Sequence, residues 1–304
     1  MSNINDLFMK MIAFDAGDAV RIQHFTKVYT YAHLIAMQEG LDQAKLRILD
    51  AAALLHDIAI VPCEKNLGYC NGKIQEEFGP VYAKPMLEEL GEYDEEEIDR
   101  ILYLIAHHHT YTNVDGVDYR ILLEADFLVN ALEDNMSIEA VKTGKKNIFR
   151  SSAAIDIIDE MFALYRFFGW EGAKFRPSNE NYSKIRNVRA LYDILEDVWC
   201  ADTCALRMRE NWNDNNKTLG QCSITAFLVQ DIFGGDVYGI DTANGNLHCF
   251  NIIDGVSFDL TSEQFDYELD YSGARLQKRE EHFAKEEKYE RYCFLKKRVG
   301  EISN

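Results

Sequence analysis

Basic residues are scarce in this chain of 304 residues: 32 Lys and Arg stand against 51 Asp and Glu, a formal net charge of −19. A surface with that charge repels nucleic-acid phosphates and anionic lipid headgroups, so we expect neither general nucleic-acid binding nor membrane-surface binding. A small phosphorylated substrate is compatible with this charge, because a metal ion or a local basic pocket can outweigh the overall field.

Long apolar runs are also missing, since no stretch reaches the ~20 apolar residues that a membrane span needs. The most apolar segment, Ile48–Pro62, is interrupted by Asp50, His56 and Asp57. The first residues lack a basic region followed by an apolar block, and the seven cysteines are scattered rather than arranged as a disulfide framework. These features predict a cytoplasmic protein without disulfides.

Strand-like alternation is scarce in the first half, where apolar residues recur at spacings of three and four. This spacing predicts an all-α bundle, with helices over Val20–Ala36, Leu46–Leu55, Val81–Leu90, Ile98–Ile105 and Ile121–Leu132. The segment 169–187 is rich in Gly, Pro, Ser and Asn and predicts a linker. We therefore place a first domain at residues 1–168 and a second at 188–304.

The second half has a different pattern, in which Asn-Gly and Asp-Gly turns separate short strand-like runs. The predicted strands are Val237–Ala243, Leu247–Ile253 and Val256–Leu260. Helices are predicted over Val188–Arg209, Cys222–Ile232 and about Gln277–Arg298. The predicted architecture is therefore multidomain, with an all-α helical bundle followed by a smaller α+β domain.

Four polar residues of the first domain fall on apolar helix faces. Asp126 shares its face with Leu122, His24 lies on an apolar face, and His56 and Asp57 end an apolar helix. A buried carboxylate needs a cation, a metal or hydrogen-bond donors, and a single buried histidine is most often a hydrogen-bonding core residue. Together, imidazoles and carboxylates on three helices favour a site for Mn, Fe, Zn, Ni or Mg.

The order His24…His56-Asp57…Asp126, in the local sequences QHFTKVYTYA, AALLHDIAI and ILLEADFLVNALED, resembles the HD-domain phosphohydrolase family over roughly residues 10–165. The resemblance implies an all-α fold, a divalent metal held by these four residues, and hydrolysis of a phosphoester, often in a nucleotide. The chemistry agrees, because a bound divalent ion lowers the pKa of water and offsets phosphoryl charge. Asp57 is the catalytic candidate that would both bind the ion and orient the water.

Three further residues are candidates for substrate binding or a second metal. Family members with two ions use a histidine pair near His107 and His108 and another histidine upstream, but the upstream segment GKIQEEFGPVYA offers none. We therefore expect one ion per chain, with His107 or His108 contacting phosphate or acting as an acid; histidines that cap a helix are an equally good interpretation. Lys27 is a phosphate-contact candidate or a solvated helix lysine.

A second candidate site consists of Cys222, His248 and Asp259. Cys222 follows Gly220 at a predicted helix start, where the helix dipole stabilises a thiolate, and the other two residues lie on neighbouring predicted strands. This order of nucleophile, base and orienting carboxylate suits thiol catalysis. A buried, unreactive cysteine is the alternative role.

The segment GQCSITAFLVQDIFGGDV…LHCFNIIDGVSFDLTSEQF resembles the little-characterised bacterial YunG-like family, of papain- or transglutaminase-like character, over roughly residues 190–300. The resemblance implies a thiol-hydrolase-like fold with Cys222, His248 and Asp259 as its triad. We therefore expect a metal-dependent phosphohydrolase of a nucleotide or other small phosphoester, joined to a thiol-hydrolase-like or regulatory domain. The alternatives are a catalytically silent metal-binding sensor, or a thiol hydrolase with Cys222 as its only nucleophile.

Overall fold

The computed structural model describes residues 4–303 and divides the chain into two compact units, one ending at Leu164 and one beginning at Tyr165. Each unit encloses its own apolar core. The predicted architecture, a helical bundle followed by an α+β part, is confirmed. None of the helices within residues 4–303 combines the length and the apolar character that a membrane crossing requires.

The segment 169–187, predicted as a linker, is part of the second unit in the structure. Ala173, Tyr182 and Ile185 are buried in the core of that unit. Two short 3-10 turns, Trp170–Gly172 and Glu180–Tyr182, account for the Gly- and Asn-rich composition that suggested a linker. The apolar side chains between these polar residues hold the segment in place.

The described part of the first unit is helical throughout, and the five predicted helices lie inside five of the observed ones. Polar caps determine where several helices begin: the Asp18 carboxylate accepts a hydrogen bond from the Arg21 N–H, and Asp94 and Glu97 form a reciprocal capping box. The helices are α1 Ile4–Phe14, α2 Ala19–Gln38, α3 Gln43–Leu55, α4 Ile60–Leu67, α5 Gly72–Leu90, α6 Glu95–Ile105, α7 Val117–Glu133, α8 Ile138–Ile148 and α9 Ser152–Met161.

Helix α3 lies at the centre of this bundle and packs against α2, α6 and α7. Its run Ala51–Ala53 is fully buried, and these small side chains let the neighbouring helices approach closely. On α7, Asp126 lies between the buried residues Leu122 and Val129, as predicted from their spacing. The packing therefore directs polar side chains of α2, of the end of α3 and of α7 toward one interior point.

The second unit is built on a four-stranded antiparallel sheet with the strand order β3-β2-β1-β4. Helix α11 packs against β1 and β2 and also contacts α13, which packs against α10. Strand β2 carries His248 opposite Ile240 of β1. The elements are α10 Val188–Val198, α11 Cys222–Phe233, β1 Asp236–Asp241, β2 Leu247–Ile253, β3 Val256–Phe258, β4 Arg275–Leu276, α12 Arg279–His282 and α13 Glu286–Ser303.

Two predicted helices of the second unit are shorter than expected. The helix predicted to end at Arg209 ends at Val198, because the Thr203 hydroxyl and amide close a turn on the carbonyl of Cys200. The helix predicted from about Gln277 is divided into α12 and α13. Phe283 breaks it by packing against the core.

Candidate metal centre and candidate thiol site

Four predicted residues come together inside the first unit, and we refer to His24, His56, Asp57 and Asp126 as the His/Asp cluster. All four are buried. The Nε2 atoms of His24 and His56 are 3.2 Å apart, and they lie 3.4 and 3.5 Å from Oδ1 of Asp126. Oδ2 of Asp57 lies 3.7 and 3.6 Å from the same two nitrogens. Two nitrogens and two oxygens therefore surround one point.

These spacings fit a shared metal ion. Ligand atoms ~2.1 Å from a common ion are ~3.0 Å apart at octahedral angles and ~3.4 Å apart at tetrahedral angles. Nδ1 of His56 donates to the Ala53 carbonyl at 2.9 Å, so in its neutral form the ring has its lone pair on Nε2. Nδ1 of His24 lies 2.8 Å from Oε2 of Glu133, which favours the same orientation. The ring nitrogens that point inward are the ones that can bind metal.

The cluster also stabilises positive charge. Burial would lower the pKa of His24, but the carboxylates of Asp126, Asp57 and Glu133 outweigh burial and raise this pKa to about 9. Burial would raise the pKa values of Asp57 and Asp126, yet the facing imidazoles hold both well below the usual range for aspartate. Two ionised carboxylates in a buried pocket are a strong electrostatic attraction for a divalent cation.

A second group of potential ligands lies on the other side of Asp57. Its Oδ1 is 3.1 Å from Nε2 of His108, and His109 completes a set of three whose ligand atoms are mutually within 4.8 Å. Nδ1 of His108 donates to the Ile105 carbonyl at 2.7 Å, which again leaves Nε2 facing inward. His107 lies elsewhere: its ring stacks on Tyr103 and its Nδ1 donates to the Tyr103 carbonyl.

His109 was not predicted from the sequence as a site residue, although it completes the histidine triplet His107–His109. Helix α6 ends at Ile105, so the triplet occupies the turn after the helix and its rings point in different directions. His109 contacts the side chain of Gln75, and its N–H donates to Glu76 at 3.0 Å. The upstream segment that lacks histidine therefore supplies an amide and a carboxylate next to this group.

Glu133 is a second functional candidate that was not predicted from the sequence. It lies on α7, seven residues after Asp126, and this two-turn spacing was the available signal. Its carboxylate contacts Nδ1 of His24 and also pairs with Lys27. The Lys27 side chain is 41% exposed and committed to this ion pair. Glu133 therefore orients a histidine of the His/Asp cluster.

In the second unit, we refer to Cys222, His248 and Asp259 as the thiol cluster. Cys222 is the first residue of α11, and His248 lies on β2, against which α11 packs. Nε2 of His248 is 2.5 Å from Oδ2 of Asp259. Nδ1 of His248 is buried and has no partner at normal hydrogen-bond geometry within the described residues. The imidazole therefore has one nitrogen bound to the carboxylate and the other available on the side of the thiol.

Asp259 is held rigidly in this arrangement. Its Oδ1 accepts hydrogen bonds from the N–H and the hydroxyl of Thr261 at 2.9 and 3.0 Å. Its Oδ2 accepts a further bond from the Tyr271 hydroxyl at 2.8 Å. With these donors in place the buried carboxylate has its hydrogen bonds satisfied, and it orients the His248 ring.

The thiol is activated and accessible. Burial would raise the pKa of Cys222, but the His248 imidazole and the N–H of Cys249 outweigh it and lower this pKa. Asp259 and the thiolate overcome the opposing effect of burial and raise the pKa of His248 to about 10. Cys222 is partly exposed and lines a cleft of about 390 Å³. The contact between Cys222 and His248 therefore stabilises an ion pair of thiolate and imidazolium.

Gly220 lets the chain before α11 pass close to Cys204. Its φ is +69°, and a Cβ there would lie 2.7 Å from Sγ of Cys204. The side-chain amide of Gln221, an oxyanion-hole candidate by position, donates to the Cys200 carbonyl at 3.2 Å. Gln221 is fully buried, so its amide supports the loop before α11.

Both regions match known families. Residues 21–160 match the HD domain family model, and residues 187–303 match the model described as YunG protein. The uncharacterized protein YunG of Bacillus subtilis (strain 168) is 37% identical over 78 residues, which are 26% of this chain and 63% of that relative. The chain thus spans less than two thirds of the length of this relative. No solved structure matches the chain.

The first unit therefore contains a segment that matches the HD domain, which is typical of metal-dependent hydrolases that bind divalent ions. The second unit contains a segment that matches the YunG model. Both resemblances seen in the sequence are confirmed. The papain- or transglutaminase-like character is not part of these matches and stays a prediction.

Proposed function

We propose that the first unit is a metal-dependent phosphohydrolase that acts on a nucleotide or another small phosphorylated molecule. The observation that carries this proposal is the convergence of Nε2 of His24, Nε2 of His56 and both carboxylates on one buried point. Buried imidazoles oriented by Nδ1 contacts have the donor chemistry of a catalytic metal site. We expect one divalent ion per chain in the His/Asp cluster.

Each residue of the cluster has a role in this proposal. When bound, the divalent ion would lower the pKa of water and offset charge on the phosphoryl oxygens. Asp57 faces His24 and His56 through Oδ2 and His108 through Oδ1, so its carboxylate can accept a proton from water at the centre. His108 and His109 lie on the outer side of Asp57, where they can contact a phosphate oxygen or donate a proton to the leaving group.

Turnover of phosphoesters tests this proposal. The full chain, purified without a histidine tag, would be assayed on bis(p-nitrophenyl) phosphate and on a nucleotide panel with Mn, Mg, Fe, Ni and Zn. We expect turnover that Asp126→Ala abolishes and His33→Ala preserves, because His33 pairs with Asp50 outside the cluster. Tight metal binding without turnover of any substrate would favour the alternative, a metal-binding sensor.

We propose thiol-dependent acyl hydrolysis as a second function, carried by the second unit. The observation that favours it is the His248–Asp259 contact, which leaves Nδ1 of His248 beside an activated thiol. The Cys222 thiolate would attack a carbonyl carbon and form a thioester, while the leaving group departs with the proton of the His248 imidazolium. Water would then cleave the thioester and give a proton to His248, which releases the acid and restores the thiolate–imidazolium pair.

Trapping of the acyl-enzyme tests the second function. The protein would be mixed with p-nitrophenyl acetate and digested, and mass spectrometry would locate the acetyl group. We expect rapid acetylation of Cys222 that is absent in Cys222→Ser and unchanged in Cys293→Ser, which alters an exposed cysteine of the same unit. Acetylation no faster at Cys222 than at Cys293 would rule out this function.

A further inference from the structure

The cleft beside Cys222 contains positive charge that the thiol chemistry does not use. Arg207, Lys288 and Arg291 all line it. The only carboxylate of the described residues along its wall is that of Glu287, which lies 3.1 Å from Nε of Arg291. Within residues 4–303, neither Arg207 nor Lys288 has a carboxylate at ion-pair distance. The chain has a net charge of −19, so this local excess of positive charge is opposite in sign to the charge of the whole chain.

His282 adds a buried hydrogen-bond acceptor for Lys288 to the same wall. The residue is 7% exposed and lines the cleft, and its Nδ1 lies 3.4 Å from Nζ of Lys288. Because an ammonium group can only donate, Nδ1 is the acceptor and the proton of the neutral ring is on Nε2. Nε2 is buried and has no hydrogen-bond partner in the described part of the chain.

The surroundings keep His282 neutral. Burial, together with the positive charges of Lys288, Arg291 and Lys285, lowers its pKa to about 4. A lysine with other cations as neighbours is unfavourable by itself. A bound anion would offset the charge of Lys288, whose ammonium group donates to Nδ1 of His282.

We infer that Lys288 and Arg207 form an anion-binding subsite in which His282 positions Lys288, and that the acyl substrate of Cys222 carries a carboxylate close to the bond that is cleaved. This inference rests on the proposed thiol function and specifies its substrate class. The charged and polar groups occupy one cleft with Cys222 and His248, so one small molecule can reach both. An acidic substrate would also be drawn to this cleft against the repulsion of the remaining surface.

Two alkylating reagents that differ in charge test the subsite. Iodoacetate carries a carboxylate and iodoacetamide is its neutral counterpart. Both reagents react with the thiolate, so the thiolate fraction cancels when the iodoacetate rate at Cys222 is divided by the iodoacetamide rate. We expect this ratio to exceed the ratio at the exposed Cys293 by about tenfold or more. Lys288→Gln should lower the ratio at Cys222 severalfold, and any change in its thiolate fraction cancels in the ratio. Rates would be measured by mass spectrometry of the two peptides.

Matched controls separate the subsite from other charges. Lys297→Gln removes the same charge from an exposed position of the same helix and should leave the ratio unchanged. The His248 imidazolium also attracts iodoacetate, but it is present in both proteins, so only the Lys288-dependent part of the ratio measures the subsite. Arg207→Gln is a second variant, at an exposed position, that tests the same subsite without altering α13.

The outcomes distinguish the subsite from the thiol function. The subsite would be overturned if the ratio at Cys222 were no higher than the ratio at Cys293. It would also be overturned if neither Lys288→Gln nor Arg207→Gln lowered the ratio at Cys222. Fast labelling of Cys222 by iodoacetamide would leave the thiol function in place in both cases. Slow labelling of Cys222 by both reagents would overturn the thiol function. The rate ratio would still report on the subsite in that case.

Discussion

The His/Asp cluster of the first unit and the thiol cluster of the second both bury imidazole rings beside carboxylates, but they orient the rings differently. In the first unit, Nδ1 of His56 and of His108 is bound to a backbone carbonyl, and Nε2 faces the interior of the site. In the second unit, Nε2 of His248 is bound to Asp259 and Nδ1 is left open. In each ring the contact made by one nitrogen fixes the orientation in which the other nitrogen can bind an ion or exchange a proton.

The charge of the two clusters differs as well. Asp57 and Asp126 both stay ionised and the pKa values of His24 and His56 are raised, so the His/Asp cluster favours positive charge, which a bound cation can supply in place of the imidazole protons. The thiol cluster has a single carboxylate, and proton transfer from Cys222 to His248 gives it an internal cation. The same residue types therefore favour metal binding in one unit and nucleophilic chemistry in the other.

The largest expected effect is on phosphoester turnover, and it tests the dependence on metal that distinguishes the His/Asp cluster from the thiol cluster. Asp57→Ala removes a carboxylate that faces His24, His56 and His108, so we expect phosphoester turnover to fall by about 10³-fold or more. The isosteric Asp57→Asn should lose nearly as much, because an amide is a poor ligand and a poor proton acceptor. Steady-state assays with Mn would measure this loss. Turnover within threefold of the wild type would contradict the assignment.

A second prediction addresses the thiol cluster. His248→Ala removes the base and the partner of the thiolate, so we expect acetylation of Cys222 by p-nitrophenyl acetate to slow by about 10²-fold. Stopped-flow absorbance of released p-nitrophenolate would follow the reaction. Lys297→Gln is the control, because it alters an exposed side chain of the same unit that does not line the cleft. Equal loss in both variants would argue against a specific role for His248.

A third prediction concerns the orientation of a metal-binding ring. Glu133→Gln weakens the contact with Nδ1 of His24, and outer contacts of this kind are worth about 10–100-fold in metal affinity. Competition with a chelator of known affinity would measure the change. Glu88→Gln alters an exposed glutamate of the same unit and should have no effect. An unchanged metal affinity in Glu133→Gln would mean that this residue pairs with Lys27 but does not contribute to metal binding.

The smallest expected effect is a shift in a pH profile. Because the pKa of Cys222 is lowered, its thiolate persists as the pH falls below the ordinary thiol range, and alkylation stays fast there. Iodoacetamide labelling between pH 5 and pH 10 should therefore show an inflection below the ~8.5 of a cysteine peptide measured in parallel. Coincident inflections would show that His248 does not stabilise the thiolate.

The sequence predicted most of the helical unit, because apolar spacing is a strong signal for helices that pack around one core. It also placed Asp126 in the interior, since Leu122 and Val129 mark the buried face. It missed Glu133 and His109, whose contacts depend on how α7 meets α2 and on how the turn after α6 directs each ring. The directions of these side chains depend on tertiary packing and produce no periodic signal in the sequence.

In the second unit, the strands were predicted well because Asn-Gly and Asp-Gly turns define hairpins. The segment 169–187 was misread because turn-forming residues occur both in linkers and in packed 3-10 turns. The pairing of His248 with Asp259 could be expected from neighbouring strands, but the subsite around Lys288 could not. Its members lie on separate elements and share no motif.

Metal content tests the central claim of this account most directly. The untagged full chain, purified without chelator and incubated with Mn, would be analysed by elemental mass spectrometry beside Asp126→Ala. We predict about one tightly held divalent ion per chain in the wild type and almost none in the variant, with both proteins equally folded by circular dichroism. A wild-type protein that holds no ion, or a variant that holds as much as the wild type, would contradict the metal centre.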